Sequence, residues 1–284
     1  MMSPSMVRRV AVAAVAIPVA LGLVRVGGWL LVAALAALAV LGTLELFRMA
    51  AARGGHPFPL LGAGVAGLMP VAVHTALGGD LTPRMVAFAG VAWVIVVMTA
   101  AVLRRAPEAR PLEAVTTTLV APVYTGLMPS FVLLYRHGTT AEPWAATWLV
   151  FLPLVSVWIC DSAAMTVGGI VGGPKFAPVV SPNKTWSGTI AGSLAGAVVA
   201  PLFGALLLAP HGVAIGIGRL ALFGLVVASV GQVGDLAESL FKREAGVKDS
   251  GSVFPGHGGV LDRLDSLYWA LPTGAALLAL YGVL

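Results

Sequence analysis

The sequence predicts an all-α, polytopic integral membrane protein with about nine transmembrane helices. Of its 284 residues, 58% are hydrophobic and only 10% are charged, and the mean hydropathy is +0.96. Soluble domains carry about 25% charged residues, so this chain has too little polar surface to cover a water-soluble globule. The single cysteine excludes a disulfide scaffold, and the composition excludes a disordered chain.

The predicted spans follow from runs of about 20 apolar residues, the length needed to cross the hydrocarbon core. Nine such runs, bounded by charges or by Pro and Gly clusters, lie near 8–25, 28–47, 58–78, 84–103, 113–135, 144–165, 187–209, 213–239 and 266–283. One membrane domain therefore accounts for residues 1–284. We divide it into an N-terminal helical scaffold at 1–143 and a catalytic half at 144–284.

The charges of the loops predict the orientation of these spans. With the N-terminus in the cytoplasm, thirteen of the seventeen Lys and Arg residues lie on the cytoplasmic side, and only Arg25, Arg84, Arg136 and Arg219 lie on the other. We expect a multi-pass protein of the bacterial inner (cytoplasmic) membrane whose active site faces the cytoplasm. The net charge of only +5, with no basic run longer than two residues, argues against a nucleic-acid partner.

The carboxylates are distributed unevenly. Seven of the twelve lie from position 161 onward, and the five earlier ones, mostly near predicted helix ends, are assigned to the scaffold. Charge is expensive near hydrocarbon, so acids clustered at span ends indicate a functional site. The chemistry is therefore expected in the C-terminal half.

The first polar segment covers residues 161–188. Asp161 lies at the cytoplasmic end of the sixth span, and the stretch Ser181-Pro182-Asn183-Lys184-Thr185-Trp186 is typical of a turn that leads into a helix. A lysine and hydroxyls at a helix N-terminus can bind phosphate. Ser181, Lys184 and Thr185 are therefore candidate substrate-binding residues. Taken alone, however, the segment is better explained as an Asn/Pro turn with a lysine at the membrane surface.

The second segment begins with Asp235 and Glu238, which share one helical face because they are three residues apart. Two such carboxylates can hold a hard divalent cation such as Mg²⁺. An acid pair that meets solvent, or that pairs with a nearby lysine, is the alternative. The charged residues that follow would by themselves indicate a solvated loop: Lys242, Arg243, Glu244, Lys248 and Asp249.

The third segment is the glycine-rich stretch 254–259 and the start of the last span. Its three glycines allow backbone N–H groups to approach phosphate oxygens. Asp262 and Asp265 repeat the three-residue spacing at a helix start. The helix dipole explains one acid there, but not two acids together with Arg263 and the glycine-flanked His257. We assign His257 to phosphate contact or loop ordering.

Together the three segments combine carboxylates for a divalent metal, several cations for phosphates and flexible loops at one membrane face. This combination best suits phosphoryl or nucleotidyl transfer to a lipid, a chemistry in which metal ions neutralise the transferring phosphate.

The combined pattern resembles the signature of the phosphatidate cytidylyltransferases, also called CDP-diacylglycerol synthases. The matching residues are Ser239-x-x-Lys242-Arg243, Lys248-Asp249, Pro255-Gly256-His257-Gly258-Gly259 and Asp262-Arg263-x-Asp265. The stretches Gly234-Asp235-Leu236-x-Glu238-Ser239 and Ser181-Pro182-x-Lys184-Thr185 are similar to further motifs of that family. The resemblance covers about residues 161–266. It departs at Ser187, where the family often has Glu, and at Ser162, where Thr is common.

The resemblance implies an enzyme that makes CDP-diacylglycerol and pyrophosphate from CTP and phosphatidic acid, with Mg²⁺, possible use of a second cation such as K⁺, and a homodimer. It implies catalytic roles for Asp235, Asp262, Asp249 and Lys248. It implies metal ligation by Asp235, Asp262, Glu238, Asp265 and Asp161. It implies substrate binding by Lys184, Ser181, Thr185, Lys242, Arg243, His257, Gly258, Gly259 and Arg263.

Two other functions are kept as alternatives. A CTP-dependent polyprenol or phytol kinase shares the helices, the nucleotide and the metal, but it transfers the γ-phosphate. A cation-coupled transporter would be expected to carry its acids at mid-span and in both halves of the chain. The nucleotidyl-transfer interpretation depends on the expectation that Asp235 and Asp262 face one metal at the inner leaflet.

Overall fold

The computed structural model describes residues 4–253 and 258–284, with side chains from Val15 onward. Apart from one small hairpin, its regular structure in these ranges is helical, which confirms the all-α class. Nine long helices follow one another: α1 Pro4–Val26, α2 Gly28–Ala51, α3 Pro59–Leu77, α4 Pro83–Arg104, α5 Pro111–His137, α6 Pro143–Val171, α7 Trp186–His211, α8 Ile217–Ala245 and α9 Leu261–Leu280.

Seven of these helices, α2 to α8, are long and apolar enough to cross a membrane. They coincide with the second to eighth predicted spans and confirm a polytopic membrane protein. The first and ninth predicted spans coincide with α1 and α9, which are not among the seven. In α1 only Val15–Val26 has described side chains, and α9 begins with the charged residues Asp262, Arg263 and Asp265.

Each of the helices α3 to α6 begins with a proline. Pro59, Pro83, Pro111 and Pro143 lie in the first turns of α3, α4, α5 and α6. A proline is tolerated there because the first helical N–H groups have no partner within the helix. The side chain of Glu142 adds a cap to α6 by accepting hydrogen bonds from two backbone N–H groups.

Two helices contain a wider, π-helical turn, Val123–Leu127 in α5 and Gly204–Leu208 in α7. A proline lies near each turn, Pro129 in α5 and Pro201 in α7. A proline inside a helix removes one N–H from the backbone ladder, and such gaps are commonly accommodated by local widening.

The chain forms two compact units. The first consists of residues 1–133 and 241–263, and the second of residues 134–240 and 264–284. The loop after α8 is therefore grouped with the N-terminal helices, and the division into a scaffold and a catalytic half stays a prediction. The single membrane domain over 1–284 stays a prediction.

Close helix contacts and buried hydroxyls hold the first unit together. Gly62 of α3 lies so close to the ring of Phe47 in α2 that a Cβ at this position would overlap the ring unless the ring moved. The hydroxyls of Thr43 in α2 and Thr125 in α5 are 2.6 Å apart and fully buried. Elsewhere in the unit, Phe58 packs in an apolar cluster of buried side chains from α4 and α5.

A row of glycines lets three helices of the second unit approach closely. In α7, a Cβ at Gly188 would lie 2.5 Å from the carbonyl oxygen of Ala164 in α6, and one at Gly192 would lie 2.8 Å from that of Cys160. One turn further, a Cβ at Gly196 would lie 2.6 Å from the carbonyl oxygen of Gly224 in α8. Small residues at such crossings are typical of packed membrane helices.

The hairpin between α6 and α7 was not predicted. Strands β1, Lys175–Ala177, and β2, Ser181–Thr185, pair antiparallel, with Lys175 opposite Thr185 and Ala177 opposite Ser181. The sequence instead predicted a turn over 181–186, because Pro and Asn favour turns. The helix that follows begins at Trp186, as expected, and Thr185 is its N-cap.

Candidate active site

In the second unit, the hairpin and α8 bring Lys184 and Asp235 together. The Lys184 ammonium nitrogen lies 2.5 Å from Oδ2 of Asp235, and both side chains remain partly exposed, at 23% and 28%. We call the group formed by Asp161, Lys184, Thr185, Gln232 and Asp235 the Lys184 cluster. It joins a predicted phosphate-binding lysine to a predicted metal-binding aspartate.

Hydrogen bonds between α7 and α8 fix the part of α8 that carries Asp235. The amide nitrogen of Gln232 donates to the backbone carbonyl of Thr189 (3.2 Å) and to the hydroxyl of Ser193 (3.1 Å). The hydroxyl of Ser229 also donates to Ser193. Because Gln232 is three residues before Asp235, these bonds hold the aspartate in a fixed position along α7.

Asp161 and Thr185 take different positions in the Lys184 cluster. Asp161 is exposed on α6, where the charges of Asp235 and Lys184 act on it. Thr185 is 5% exposed, and its hydroxyl accepts a hydrogen bond of 3.2 Å from the N–H of Gly188. This hydroxyl therefore caps α7. A substrate contact of Thr185, and of the half-exposed Ser181, stays a prediction.

In the first unit, a second group surrounds Asp262. One oxygen of Asp262, Oδ1, accepts from the Lys242 ammonium at 2.7 Å. The other, Oδ2, accepts from the N–H and the hydroxyl of Ser250 and from the N–H of Gly259, each at 2.8 Å. We call the group formed by Glu45, Lys242, Ser250, Gly259 and Asp262 the Asp262 cluster.

These contacts set the charge of Asp262. Burial alone raises the pKa of this carboxyl, but the hydrogen bonds from Lys242, Gly259 and Ser250 outweigh burial and lower the pKa to about 2. Donors that bind the ionised form always favour it. Asp262 is therefore a carboxylate at any physiological pH, as a ligand for a cation must be.

The Asp262 cluster also contains a residue that was not predicted. Glu45 of α2 is fully buried, and its carboxylate accepts from the N–H groups of Val260 and Leu261 and from the hydroxyl of Ser250, each at 3.0 Å. From its place in the N-terminal half, Glu45 was expected to belong to the scaffold. An acid between leucines near the end of an apolar span was the signal that could have identified it.

The other predicted site residues differ in their exposure. Glu238 is fully buried on α8, and Asp265 is half-buried near the start of α9, where its Oδ1 accepts from the N–H of Ser266 at 2.6 Å. Gly258 has a positive φ of 80°. Four charged side chains are exposed: Arg243, Lys248, Asp249 and Arg263. His257 lies outside the described residues, and all of these assignments stay predictions.

The donor set fits a hard cation of the Mg²⁺ type. Within residues 4–253 and 258–284, no group of three or more His, Cys, Asp and Glu side chains is close enough to enclose a metal. Mg²⁺ does not need such a cage, because it usually binds one or two carboxylates together with substrate phosphates. Among the described residues, Oδ1 of Asp235 has a long contact of 3.5 Å with the Ser239 hydroxyl. In Asp262, Oδ1 already faces a cationic group.

Comparisons with known proteins bear on this site. A model described as the cytidylyltransferase family matches residues 7–281. The chain is 30% identical over 288 residues to a phosphatidate cytidylyltransferase of Synechocystis, an alignment that covers 93% of this chain and 94% of that protein. It is 48% identical over 143 residues to the phosphatidate cytidylyltransferase of Brucella suis, covering 50% of this chain and 49% of the relative. A Staphylococcus epidermidis protein of the same name is 38% identical over 154 residues, with 55% of it covered. Thus the chain spans about half the length of several relatives that it matches.

Proposed function

Because this chain belongs to the cytidylyltransferase family, we propose that it transfers the cytidylyl group of CTP to phosphatidic acid, forming CDP-diacylglycerol and pyrophosphate. One structural observation supports this assignment above the others. In each cluster, a lysine that was predicted to bind phosphate is paired with an aspartate that was predicted to bind metal, Lys184 with Asp235 and Lys242 with Asp262. Both pairs belong to a chain whose described residues include seven helices suited to a bilayer.

In the proposed reaction, a phosphate oxygen of phosphatidic acid attacks the α-phosphorus of CTP. A new oxygen–phosphorus bond forms, the bond from the α-phosphorus to the bridging oxygen of the β-phosphate breaks, and pyrophosphate leaves. The attacking phosphate has a second pKa near 6, so it is already a dianion at neutral pH. No side chain is therefore required as a general base.

The roles of the side chains follow from their charges. Lys184 and Lys242 are the groups that would bind and orient the phosphates of the two substrates, because a lysine ammonium is a mobile cationic donor. Asp235 and Asp262 are the carboxylates that we propose as Mg²⁺ ligands. When bound, Mg²⁺ supplies neutralisation of the charge that develops on the transferring phosphate. Partial exposure of the Lys184–Asp235 pair leaves this pair accessible to solutes.

The loop charges support a place for this enzyme in the bacterial inner membrane, with the site at the cytoplasmic face. Phosphatidic acid has its phosphate at the membrane interface and its acyl chains in the bilayer. A site at the end of apolar helices is therefore at the depth of the reacting group. We further propose a homodimer and a monovalent cation such as K⁺ as a second ion, both of which the family resemblance implies.

The test uses purified protein in detergent with phosphatidic acid, CTP and Mg²⁺, followed by mass spectrometry of the lipid. We expect CDP-diacylglycerol to accumulate, and we expect EDTA to abolish its formation. The variant Asp235→Asn should lose at least a hundredfold in kcat, whereas Asp80→Asn, which changes an exposed acid on the loop after α3, should retain wild-type activity. Equal activity of the two variants would contradict the role of Asp235.

A labelling experiment separates this reaction from the kinase alternative. CTP labelled at the α-phosphorus should transfer its label to the lipid, and CTP labelled at the γ-phosphorus should not. Label from the γ-position in a polyprenol or phytol would assign the chain to the kinases instead. A cation-coupled transporter would transfer neither label.

A further inference from the structure

Glu45 is a buried carboxylate with an unusual set of partners. It lies in α2, 205 residues before Ser250 in the sequence, and it is fully buried in the first unit. Its Oε1 accepts from the N–H of Val260, and its Oε2 accepts from the N–H of Leu261 and from the hydroxyl of Ser250. A buried charge is tolerated only where donors of this kind replace the lost water.

These partners are the immediate neighbours of Asp262. Leu261 is the first residue of α9, and Val260 and Leu261 are the two residues that directly precede Asp262. By binding both N–H groups, the carboxylate of Glu45 fixes the backbone from which the Asp262 side chain projects. Its negative charge also lies at the N-terminus of α9, where the helix dipole favours an anion.

Ser250 connects the two carboxylates directly. Its hydroxyl lies 3.0 Å from Oε2 of Glu45 and 2.8 Å from Oδ2 of Asp262, and its N–H donates to the same Oδ2 at 2.8 Å. A hydroxyl has one proton, so it donates to one carboxylate at a time, while the N–H keeps its bond to Asp262. Because Oδ2 is held in this way, Oδ1 remains directed at Lys242.

The loop around Ser250 is shaped to receive Glu45. A Cβ at Gly251 would lie 2.5 Å from Oε1 of Glu45, and a Cβ at Gly259 would overlap Oε2. Only glycine leaves room for the carboxylate at these two positions. Gly259 was predicted to approach phosphate. It therefore also makes space for an acid of the N-terminal half.

We propose that Glu45 is a positioning residue for the reaction. Through Ser250 and the backbone of residues 260 and 261, it holds Asp262 with Oδ1 directed at the cationic groups that this aspartate binds. The inference rests on the proposed function, in which Asp262 acts at the site. Partners of this kind behind a metal-binding or catalytic side chain typically contribute 10–100-fold in metal affinity or activity.

The test compares Glu45→Gln and Ser250→Ala with Thr43→Val. Glu45→Gln keeps the volume but turns one oxygen into an NH₂ group, which must then face an N–H or hydroxyl donor. Ser250→Ala removes one hydroxyl and leaves the backbone N–H bond to Asp262. Thr43→Val is the matched control, because Thr43 lies two residues from Glu45 on α2, is fully buried and also loses a buried hydrogen bond, to Thr125.

For each variant, the folded fraction is measured by size-exclusion chromatography, and kcat, KM for CTP and the Mg²⁺ concentration for half-maximal rate are measured on the folded protein. We expect Glu45→Gln and Ser250→Ala to lower kcat ten- to hundredfold or to raise the Mg²⁺ requirement by that factor, with KM for CTP changed less than threefold. Thr43→Val should keep the wild-type kcat and the wild-type Mg²⁺ requirement. The double variant should be little worse than Glu45→Gln alone, because Ser250 is one of the links through which Glu45 acts on Asp262.

Three results separate the outcomes. A folded Glu45→Gln variant with wild-type kcat and Mg²⁺ dependence would overturn the inference. If Glu45→Gln does not fold, Glu45→Asp takes its place, because the shorter side chain draws the carboxylate away from all three of its donors, and wild-type kinetics of this variant would overturn the inference equally. Failure of the wild-type protein to form CDP-diacylglycerol from CTP and phosphatidic acid would instead refute the proposed function.

Discussion

The crossing of α7 and α8 allows a prediction that does not depend on the reaction. A Cβ at Gly224 would overlap the carbonyl oxygen of Gly196 and lie 2.6 Å from its carbonyl carbon and 2.8 Å from Cβ of Ala200. Carbon atoms in ordinary contact are about 3.5–4.0 Å apart, so the two helices would have to separate by roughly 1 Å. Two of the three atoms belong to the backbone and cannot rotate away. Such overpacking typically costs about 1–3 kcal/mol.

The matched control for Gly224→Ala is Gly90→Ala. Gly90 lies within α4, and a Cβ there would meet nothing within 4 Å. Both changes gain the same helix propensity of up to about 1 kcal/mol, so the difference between the variants isolates the clash. Heating the proteins in detergent and measuring the folded fraction by size exclusion should give a midpoint several degrees lower for Gly224→Ala. Equal midpoints would refute the close helix crossing.

The same separation should also reach the Lys184 cluster. Gln232 is two turns after Gly224 on α8, and its bonds to Thr189 and Ser193 of α7 depend on the distance between these helices. We therefore expect Gly224→Ala to lower kcat of the remaining folded enzyme, whereas Gly90→Ala should not. Unchanged kcat of Gly224→Ala would show that the cluster tolerates a shift of α8.

Three further changes test single contacts. Thr185→Ala should lower the free energy of unfolding by about 1 kcal/mol because the cap of α7 is lost, whereas Thr185→Ser should not; thermal unfolding in detergent measures both. Lys184→Met should lower kcat/KM for CTP more than tenfold, and Lys175→Met, on the exposed paired strand, should lower it less than twofold in the same assay. Tyr135→Phe removes the buried hydrogen bond of 2.7 Å to the Leu271 carbonyl and should cost about 1 kcal/mol, and a wild-type melting midpoint would contradict this.

The helices were predictable from the sequence because a bilayer imposes a minimum length on each apolar run. The predicted runs 28–47 and 84–103, for example, correspond closely to Gly28–Ala51 and Pro83–Arg104. The hairpin was not predictable in this way. Its strands are three and five residues long, and Pro182 within β2 is typical of a turn.

The candidate site was predictable in its residue types but not in its pairings. Motif positions identified Asp235, Asp262, Lys184 and Lys242, because acids and lysines at span ends are expensive to keep without a function. Spacing along one helix, however, reveals only neighbours three or four residues apart. The partner of Asp235 is 51 residues away, and Glu45 is separated from its loop by more than 200 residues. Such contacts depend on helix packing.

The hydrogen bond between Glu45 and Ser250 limits how far this protein can be shortened from its N-terminus. All the signature motifs lie after residue 160, so a shortened chain that begins near residue 144 would keep every one of them. It would lack α2, however, and with it the carboxylate that accepts from Val260, Leu261 and Ser250. The N-terminal helices are thus more than a membrane anchor. A truncated chain of this kind would be no minimal enzyme, even if it inserted correctly, and supplying the missing helices as a separate polypeptide is the rational route to complementation.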